Sequence, residues 1–418
     1  MMHIVSLGML IFDDVYPESS PPKLGILGGA GTYATVGARL FYPGEKSDKV
    51  GFVVHTGSDF AQTTRDEIES WKSSSHFVNT PERETTRGKN VYSNGIRANC
   101  RLFTQGFEFL TDRIQVDHIN LPDHYVTANV FHLICGPGRC VEVVKGILAR
   151  RRELLSSVPG LSDRTSAKPI FVWEPMEGFC EPRNRVFVYE ALKYVDVFSP
   201  NAHEVSLLFQ DQQDIQLAPE CGQDGPGSLL DEDFSRAEAL TYLKTTQGQC
   251  VQLQAKGFND PNKALVLRKG EEGCAVFTKG RAIPVPAYHV PFKELSKKEK
   301  KKWKNKVVDV TGGGNTFLGG FCAGLELGSS ICWRGYNLFE AAALYGTVAA
   351  SFAIEQVGMP KLTPRKWDGE ERWNGELPSD RLRTMIHRVD PAKFVPELTA
   401  EERKERFEWL RAVELDKL

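Results

Sequence analysis

Short apolar runs recur along most of the chain and are separated by amphipathic stretches. These runs lie at residues 3–12, 49–60, 130–136, 169–175, 195–201 and 263–270. Most of them are continuously apolar instead of alternating, which is typical of strands buried on both faces of a sheet. Because helical stretches separate the runs, the pattern predicts an α/β fold with a mostly parallel sheet that helices cover on both faces.

Local breaks in this pattern predict three further features. Asp13 and Asp14 are expected to end the first strand, which would span residues 3–12. Residues 28–41 place a glycine turn directly before a helix of small residues. Residues 85–110 alternate polar and apolar positions and are rich in strand-forming residues. We therefore expect a hairpin there that forms a lid.

The composition is that of an ordinary globular protein. The chain has 418 residues, 41% of them hydrophobic and 25% charged, and a formal net charge of −2. This near-neutral balance argues against a surface that generally binds nucleic acid or adheres to membranes. Nine cysteines occur without a CxxC pair, which argues against a zinc ribbon, a redox motif or the disulfide framework of a secreted protein.

No stretch of the sequence is expected to cross a membrane. The apolar run at the start of the chain is too short for a span and lacks a preceding basic region. The apolar stretch at 341–354 contains Ser and Thr and is expected to be a core helix. We therefore expect a cytoplasmic protein.

Two segments differ from the rest of the chain in charge. Residues 291–306 are strongly basic, and a solvated loop, a nuclear-localisation signal over 293–306 and an extra phosphate contact all remain open for them. The tail is rich in charge, Trp and Pro, and Thr399 with Glu402 forms a capping box in it. We expect a main domain at 1–360, with lid segments near 13–27 and 85–110, and a charged extension at 361–418 that ends in a helix.

The candidate chemistry centres on "DVTGGGNTFLGGFCAGL" at residues 309–325. Its glycine run lets the backbone approach a ligand closely, and the helix that follows presents free N–H groups and a partial positive charge. Such fixed donors suit an anionic transition state, although a plain tight turn would use the same glycines. The sequence has no GxxxxGK[ST] loop, no strand–GxGxxG–helix unit and no HExxH motif.

The segment "DVTGGGNTFLGG" resembles the second signature of the pfkB, or ribokinase-like, family of carbohydrate kinases. Other segments follow the order of that family: "GMLIFD" (8–13), "GGAGTYATVGARL" (28–40), "GSD" (57–59), "SPNAHEVSLLF" (199–209) and "RKGEEGC" (268–274). The GGGN loop is similar to that of the fungal, Mak32-like branch. The resemblance implies a doubly wound α/β domain with a small β lid, which binds ATP and a hydroxyl-bearing substrate.

The resemblance also implies roles for individual residues. The anion hole and the catalytic position would be formed by Gly312, Gly313, Gly314 and Asn315. The acceptor would contact Asp13, Gly28, Gly29 and Asp309. The nucleotide would be bound by Asn201, Glu204, Gly270 and Thr347, with Glu204 organising Mg²⁺ through water. The implied cofactors are ATP, Mg²⁺ and, as an option, a monovalent cation, and the lid could join two copies into a homodimer.

The sequence departs from the family pattern at several of these positions. Asn315 stands where the family has an Asp that accepts the hydroxyl proton, and Tyr33, Glu174 and Thr347 also replace the usual residues. A positioned general base contributes about 10²–10⁴ in rate, whereas phosphoryl transfer depends mostly on positioning and charge neutralisation. Two hypotheses follow: an ATP-dependent kinase for a sugar or nucleoside with weakened turnover, or a catalytically silent protein that binds a ligand or assists assembly.

Overall fold

The computed structural model describes most of the chain. The described ranges are 2–16, 21–93, 96–97, 107–157, 168–211, 245–258, 260–278, 281–289, 296–298, 306–328, 336–363 and 369–389. The terminal helix expected after Thr399 and most of the basic segment at 291–306 lie outside them.

The strands belong to a large central sheet, a small second sheet and a short C-terminal pair. In chain order they are β1 (Ile4–Ser6), β2 (Ile11–Tyr16), β3 (Lys23–Gly28), β4 (Val50–Thr56), β5 (Ser74–Asn79), β6 (Arg87–Ser93), β7 (Ile96–Arg97), β8 (Phe107–Phe109), β9 (Val130–Cys135), β10 (Ile170–Pro175), β11 (Val197–Phe198), β12 (Ala264–Arg268), β13 (Cys274–Thr278), β14 (Arg281–Val285), β15 (Leu362–Thr363) and β16 (Arg372–Trp373).

The α-helices alternate with the strands of the central sheet. They are α1 (Ala30–Arg39), α2 (Gln62–Ser70), α3 (Asp123–Val126), α4 (Pro137–Ser157), α5 (Arg185–Leu192), α6 (Ala202–Leu208), α7 (Thr246–Gly257), α8 (Gly313–Leu327), α9 (Leu338–Ala353) and α10 (Pro378–Val389). Short 3₁₀ turns lie at Gly44–Lys49, Glu177–Phe179, Pro182–Asn184 and Gly270–Glu272.

The central sheet has the strand order β14-β13-β12-β11-β10-β9-β1-β4-β5. Neighbours from β5 to β12 pair in parallel, and β13 and β14 complete one edge in antiparallel pairing. From β1 the chain fills one side with β4 and β5 and the other side with β9 to β12. The sheet is therefore doubly wound, as predicted, and ligands of such sheets bind beyond the carboxyl ends of the strands near the point where the order reverses.

Two groups of helices cover the two faces of this sheet. Helices α1, α8, α9 and α10 share one hydrophobic cluster with inward side chains such as Val172, and α4 to α7 share the other with side chains such as Trp173. The two residues are neighbours on β10, so successive side chains enter opposite cores. Within the described ranges, no helix combines the length and apolar character that a bilayer span requires.

The small second sheet forms the expected lid. Its order is β3-β2-β6-β7, and β8 also pairs with β6. It joins β2 and β3 to β6, β7 and β8, and these strands lie in the two regions where lid segments are predicted. Because only residues 7–10 separate β1 from β2, the lid begins at the carboxyl end of the central strand.

The prediction of one strand at 3–12, ended by Asp13 and Asp14, is wrong. β1 ends at Ser6, and both aspartates lie inside β2. The chain turns at Gly8, where an added Cβ would lie 2.4 Å from the backbone nitrogen of Gly31 at the start of α1. Since the residues on both sides of this turn are buried and apolar, hydrophobicity does not reveal the break.

The described residues beyond 360 pack on the main body. Trp373, Met385 and Ile386 are buried in the same cluster as α1, α8 and α9. The fully buried Arg39 of α1 donates from Nη2 to Glu371 Oε2 at 2.7 Å. The predicted boundary at 360 therefore falls inside a continuous hydrophobic core.

Truncation after residue 360 is expected to unfold the main body, whereas truncation after Val389 is not. The shorter chain loses three core side chains and leaves Arg39 buried without Glu371, which alone costs about 3–5 kcal/mol. That is a large share of a typical total stability of about 5–15 kcal/mol. Urea unfolding followed by circular dichroism measures the effect: chain 1–389 should keep the full-length midpoint, and chain 1–360 should lose its cooperative transition. Equal midpoints for the two truncated chains would contradict the expectation.

Candidate functional site

A fixed turn leads into the glycine-rich loop. Asp309 Oδ1 accepts hydrogen bonds from the backbone nitrogen of Thr311 at 2.9 Å and from its Oγ1 at 2.7 Å. Gly312 follows in the left-handed region, with φ of 73°, and is the N-cap of α8. Asp309, predicted to contact the acceptor, thus holds the turn before the loop.

The first residues of α8 present unused backbone donors. The amide of Gly313 donates to Val310 O at 3.1 Å, but the amides of Gly314 and Asn315 have no acceptor among the described residues. They lie at the positive end of a 15-residue helix, where such groups attract anions. We call residues 312–315 the glycine cradle.

Two side chains flank the glycine cradle. A Cβ added to Gly312 would lie 2.3 Å from the ring of Tyr33, and a Cβ added to Gly314 would lie 2.5 Å from Arg268 Nη1. Tyr33 therefore closes one side of the cradle, and the guanidinium of Arg268 lies at the other. Neither approach would be sterically allowed with a larger residue in the loop.

The carboxylate of Glu174, at the carboxyl end of β10, lies between the cradle and the sheet. Its Oε2 accepts from Asn315 Nδ2 at 2.8 Å, and its Oε1 is 2.7 Å from Arg268 Nη1. His132 Nε2 lies 3.4 Å from Oε2, and His132 Nδ1 is 3.0 Å from Ser6 Oγ. A row of polar contacts thus runs from β1 through β9 and β10 to the first turn of α8.

Arg268 connects this row to the start of α6. Its Nη2 donates to Ser199 O at 3.0 Å and lies 3.4 Å from Glu204 Oε2, while its buried Nε has no acceptor in the described part of the chain. Asn201 and Glu204 form a capping box, in which Asn201 Oδ1 accepts from Glu204 N at 2.8 Å and Glu204 Oε2 accepts from Asn201 N at 2.7 Å. Asn201 and Glu204, which were predicted to bind the nucleotide, are therefore connected to the cradle indirectly. Glu204 lies near Arg268, and Arg268 lies beside Gly314.

Two buried carboxylates share this one guanidinium. Burial would raise the pKa of Glu174, but the ion pair with Arg268, the nearby His132 ring and the hydrogen bond from Asn315 outweigh it, so that the pKa is lowered. Burial raises the pKa of Glu204 to about 8, since Arg268 offsets only part of the effect and Glu174 adds a like charge. At neutral pH, Glu174 is therefore the ionised partner of Arg268, and Glu204 is mostly protonated.

Three of the four residues predicted to bind the acceptor, Asp13, Gly28 and Gly29, meet at the base of the lid. Asp13 is buried, and its Oδ1 accepts from Asn90 Nδ2 at 3.0 Å. A Cβ on Gly28 would lie 2.0 Å from Asp13 Oδ2, so the carboxylate rests on the backbone at the end of β3. Gly29, with φ of 90°, precedes α1, and its carbonyl accepts from the amide of Tyr33 at 3.1 Å. One turn of α1 thus separates the acceptor residues from the cradle.

Known proteins match this chain over almost its full length. The sequence profile described as pfkB family carbohydrate kinase matches residues 179–365. An uncharacterised protein of Schizosaccharomyces pombe is 32% identical over 390 residues, which is 91% of this chain and 92% of the relative. The chain belongs to the pfkB family of carbohydrate kinases. Protein MAK32 of Saccharomyces cerevisiae is 29% identical over 405 residues, 92% of each chain, which confirms the Mak32-like resemblance.

Solved ribokinase structures share the fold of this pfkB protein. Ribokinase from Giardia lamblia has a TM-score of 0.54 at 13% identity and is covered over 96% of its length, with 86% of this chain. An Escherichia coli protein assigned as ribokinase II, solved with ATP and Mg²⁺, has a TM-score of 0.55 at 13% identity, with 93% of this chain and all of that chain covered. At such identities the likeness establishes a ribokinase-like fold and nothing about the site.

The two other positions predicted to bind nucleotide in this pfkB chain lie in different surroundings. Gly270, with φ of 59°, starts the turn after β12, and a Cβ there would meet nothing within 4 Å. Thr347 is buried on α9, next to Cys274 of β13. Gly270 therefore lies at the edge that carries the cradle, whereas Thr347 lies in the packed core.

The surroundings of the cradle fit a nucleotide phosphate better than a metal ion bound directly by the protein. Unused amides and a guanidinium supply donors for phosphate oxygens. Within the described ranges, no three His, Cys, Asp or Glu side chains are grouped so that they could hold a metal ion. The Glu204 carboxylate already accepts from Asn201 N and lies near Arg268. A Mg²⁺ ion here would take ligands from phosphates and water, as this ion usually does.

A cavity of about 240 Å³ opens at the same edge of the sheet, towards the start of α4. Its lining is mostly apolar and includes Leu7, Met9, Leu133, Gly136, Met176 and Phe179. The carbonyl of Met9 accepts from the amide of Gly31 at 2.9 Å. Met9 therefore links the lining of the cavity to the start of α1, whereas Asp13, Gly28 and Gly29 are not among the lining residues.

Sequence analysis did not single out Arg268 or His132. Arg268 lies inside "RKGEEGC", and His132 lies inside the apolar run at 130–136. The available signal was one polar residue in an otherwise apolar strand, at the end of β12 for Arg268 and inside β9 for His132. That signal is weak because it does not reveal which residue the side chain meets on a neighbouring strand.

Replacing Glu204 by Gln is expected to stabilise the ligand-free protein at alkaline pH. The pKa of Glu204 is about 8 in the folded state and ordinarily 4.5, so between these values the folded chain holds a proton that the unfolded chain has released. Wild-type stability therefore falls as pH rises from about 4.5 to 8, whereas Gln does not titrate and keeps the capping bond.

Urea unfolding at pH 5, 6.5 and 8.5, without nucleotide or Mg²⁺, measures this difference. The free energy of unfolding of Glu204→Gln should rise relative to that of wild type at each step in pH. Replacing the exposed Glu272 by Gln should produce no such trend. A difference that does not change with pH would mean that the Glu204 carboxylate has an ordinary pKa.

Proposed function

We propose that this protein is an ATP-dependent phosphotransferase that acts slowly on a hydroxyl group of a small carbohydrate-like or nucleoside acceptor. The observation that carries the proposal is the glycine cradle, in which the amides of Gly314 and Asn315 have no acceptor among the described residues and lie beside the guanidinium of Arg268. Membership of the pfkB family supports the same reaction class, and Mg²⁺ would accompany the nucleotide.

The proposed acceptor class rests on relatives and on the lid. Inositol 3-kinase of Arabidopsis thaliana is 34% identical over 97 residues, 23% of this chain, and a nucleoside kinase of Methanocaldococcus jannaschii is 30% identical over 105 residues, 25% of this chain. The buried carboxylate of Asp13 suits an acceptor that donates hydrogen bonds from hydroxyl groups. The mostly apolar cavity at the same edge of the sheet favours an acceptor that also carries an apolar portion.

Each part of the site would have its own task. The cradle amides and Arg268 would stabilise the negative charge of the transferring phosphoryl group. Asp13, Gly28 and Gly29 would orient the attacking hydroxyl, and the lid would exclude water from it.

Asn315 is the reason to expect slow turnover. An amide is not a base, and Nδ2 of Asn315 already donates to Glu174. Glu174 is the carboxylate in contact with this position, but Arg268 and the other donors lower its pKa, which makes it a weak proton acceptor. The absence of an effective base should lower the rate by about 10²–10⁴.

A catalytically silent ligand-binding protein is the second candidate. The observation that favours it is the ion pair between Glu174 and Arg268, 2.7 Å long and buried beside the cradle. In this case the carboxylate of Glu174 would permanently occupy the guanidinium of Arg268, and any bound nucleotide would not be turned over.

The double variant Asn315→Asp with Glu174→Gln is expected to turn over ATP about 10²–10⁴ times faster than wild type with a suitable acceptor, because it restores a base at position 315. Asn315→Asp alone should gain far less. It would set two carboxylates at the distance now spanned by the 2.8 Å bond from Asn315 to Glu174, and such a pair cannot fully ionise.

Product formation across a panel of sugars, inositols and nucleosides, measured together with Mg²⁺–ATP affinity, checks this expectation. Glu174→Gln is the matched control without the new base. If wild type and all variants bind ATP but none forms a phosphorylated product, the kinase proposal fails and the silent alternative stands.

A further inference from the structure

We propose that Arg268 is a ligand of the nucleotide's terminal phosphate and that Glu174 occupies the place of that phosphate in the ligand-free protein. This inference rests on the proposed nucleotide binding and deepens it. It adds one cationic ligand and one competing anion to the site, neither of which follows from the glycine cradle alone.

The location of the guanidinium is the first support. Nη1 of Arg268 lies where a side chain on Gly314 would project, since an added Cβ there would be 2.5 Å away. The amide of the same glycine has no acceptor within the part of the chain that the structure describes. An anion bound to this amide would therefore lie within reach of Arg268.

The unused hydrogen-bonding capacity of Arg268 is the second support. The residue is about nine-tenths buried, and its Nε has no acceptor in the described part of the chain. A buried donor without a partner is unfavourable. A planar guanidinium can bind a tetrahedral phosphate through two parallel hydrogen bonds. Glu174 is paired with Arg268 through Nη1, so the guanidinium retains donor capacity for a phosphate.

Glu174 has the contacts expected of an anion held at such a site. Its Oε1 lies 2.7 Å from Arg268 Nη1, and its Oε2 accepts a hydrogen bond from Asn315 Nδ2 at 2.8 Å. The first donor flanks the cradle, and the second belongs to it. The carboxylate thus takes up donors that a phosphate oxygen would use.

Exchange of the two anions would not require Arg268 to move far. The bond from Nη2 to Ser199 O, 3.0 Å long, ties the guanidinium to the backbone after β11 independently of Glu174. A phosphate brings more negative charge and more acceptor oxygens than a carboxylate. We therefore expect phosphate to displace Glu174 from Arg268. Because breaking this ion pair costs free energy, the apparent affinity for ATP should be lower than it would be without Glu174.

The competing explanation is that Arg268 serves only as the structural counter-ion of Glu174. The two explanations differ once Glu174 is neutral. If Arg268 binds phosphate, Glu174→Gln should bind Mg²⁺–ATP about tenfold more tightly than wild type, and adding Arg268→Gln should weaken that binding by about 10- to 100-fold. If Arg268 is only a counter-ion, Glu174→Gln and the double variant should bind ATP equally.

Calorimetric titration with Mg²⁺–ATP and with adenosine tests the inference without relying on activity. The double variant carries no unpaired buried charge, so it remains informative if Arg268→Gln alone fails to fold, and circular dichroism verifies folding of each protein. Adenosine affinity should stay constant because it has no phosphate. Lys269→Gln, a neighbouring cation that pairs with Glu272, is the matched control and should change ATP affinity by less than about threefold.

The outcomes separate this inference from the proposed function. Equal ATP affinity of Glu174→Gln and the double variant, or parallel loss of ATP and adenosine binding, overturns the role of Arg268 alone. Binding of ATP by Glu174→Gln but not by wild type supports the internal anion and overturns the kinase proposal. No ATP binding by any of these proteins overturns both.

Discussion

Helices α1 and α8 meet through their backbones, and the location of the cradle depends on this contact. A Cβ added to Gly37 would lie 2.2 Å from Thr316 O, and one added to Gly319 would lie 1.9 Å from Ala34 O. Hydrogen is therefore the largest side chain that fits at either point. Because close-packed surfaces cannot slide without overlap, the start of α8 stays fixed beside α1, and the cradle stays one helical turn from the acceptor residues.

Whether a part of the site can be predicted from the sequence depends on how far apart along the chain its interacting residues are. The glycine run at 312–314 and the helix after it are local features, so a turn with exposed amides could be predicted, as could the parallel strands from their continuous apolar runs. The course of the chain around Asp13 depends on Gly8 meeting Gly31, and the docking of the C-terminal segment depends on Glu371 meeting Arg39, which is 332 residues away. Contacts of this kind leave no periodic signal in a single sequence.

Stability does not account for the buried ion pair beside the cradle. Removing two charges from water costs roughly what their attraction returns, and apolar residues of similar volume are often equally stable or more so. Glu174 and Arg268 nevertheless lie at the carboxyl ends of β10 and β12, with Glu204 nearby as a second carboxylate. An arrangement that gains little for folding and lies at the edge where such sheets bind ligands is better explained by an anionic ligand than by packing.

The side chains at positions 174 and 315 act as one unit. With Asp at 315, its carboxylate would face that of Glu174 across the distance now spanned by a 2.8 Å hydrogen bond, and Glu204 would be a third carboxylate around a single guanidinium. Like charges at that distance cannot all be ionised in a buried site. The amide of Asn315 removes the conflict and turns it into a hydrogen bond. Because groups in direct contact do not contribute additively, catalytic competence here is a property of the pair, and residue 315 alone does not determine it.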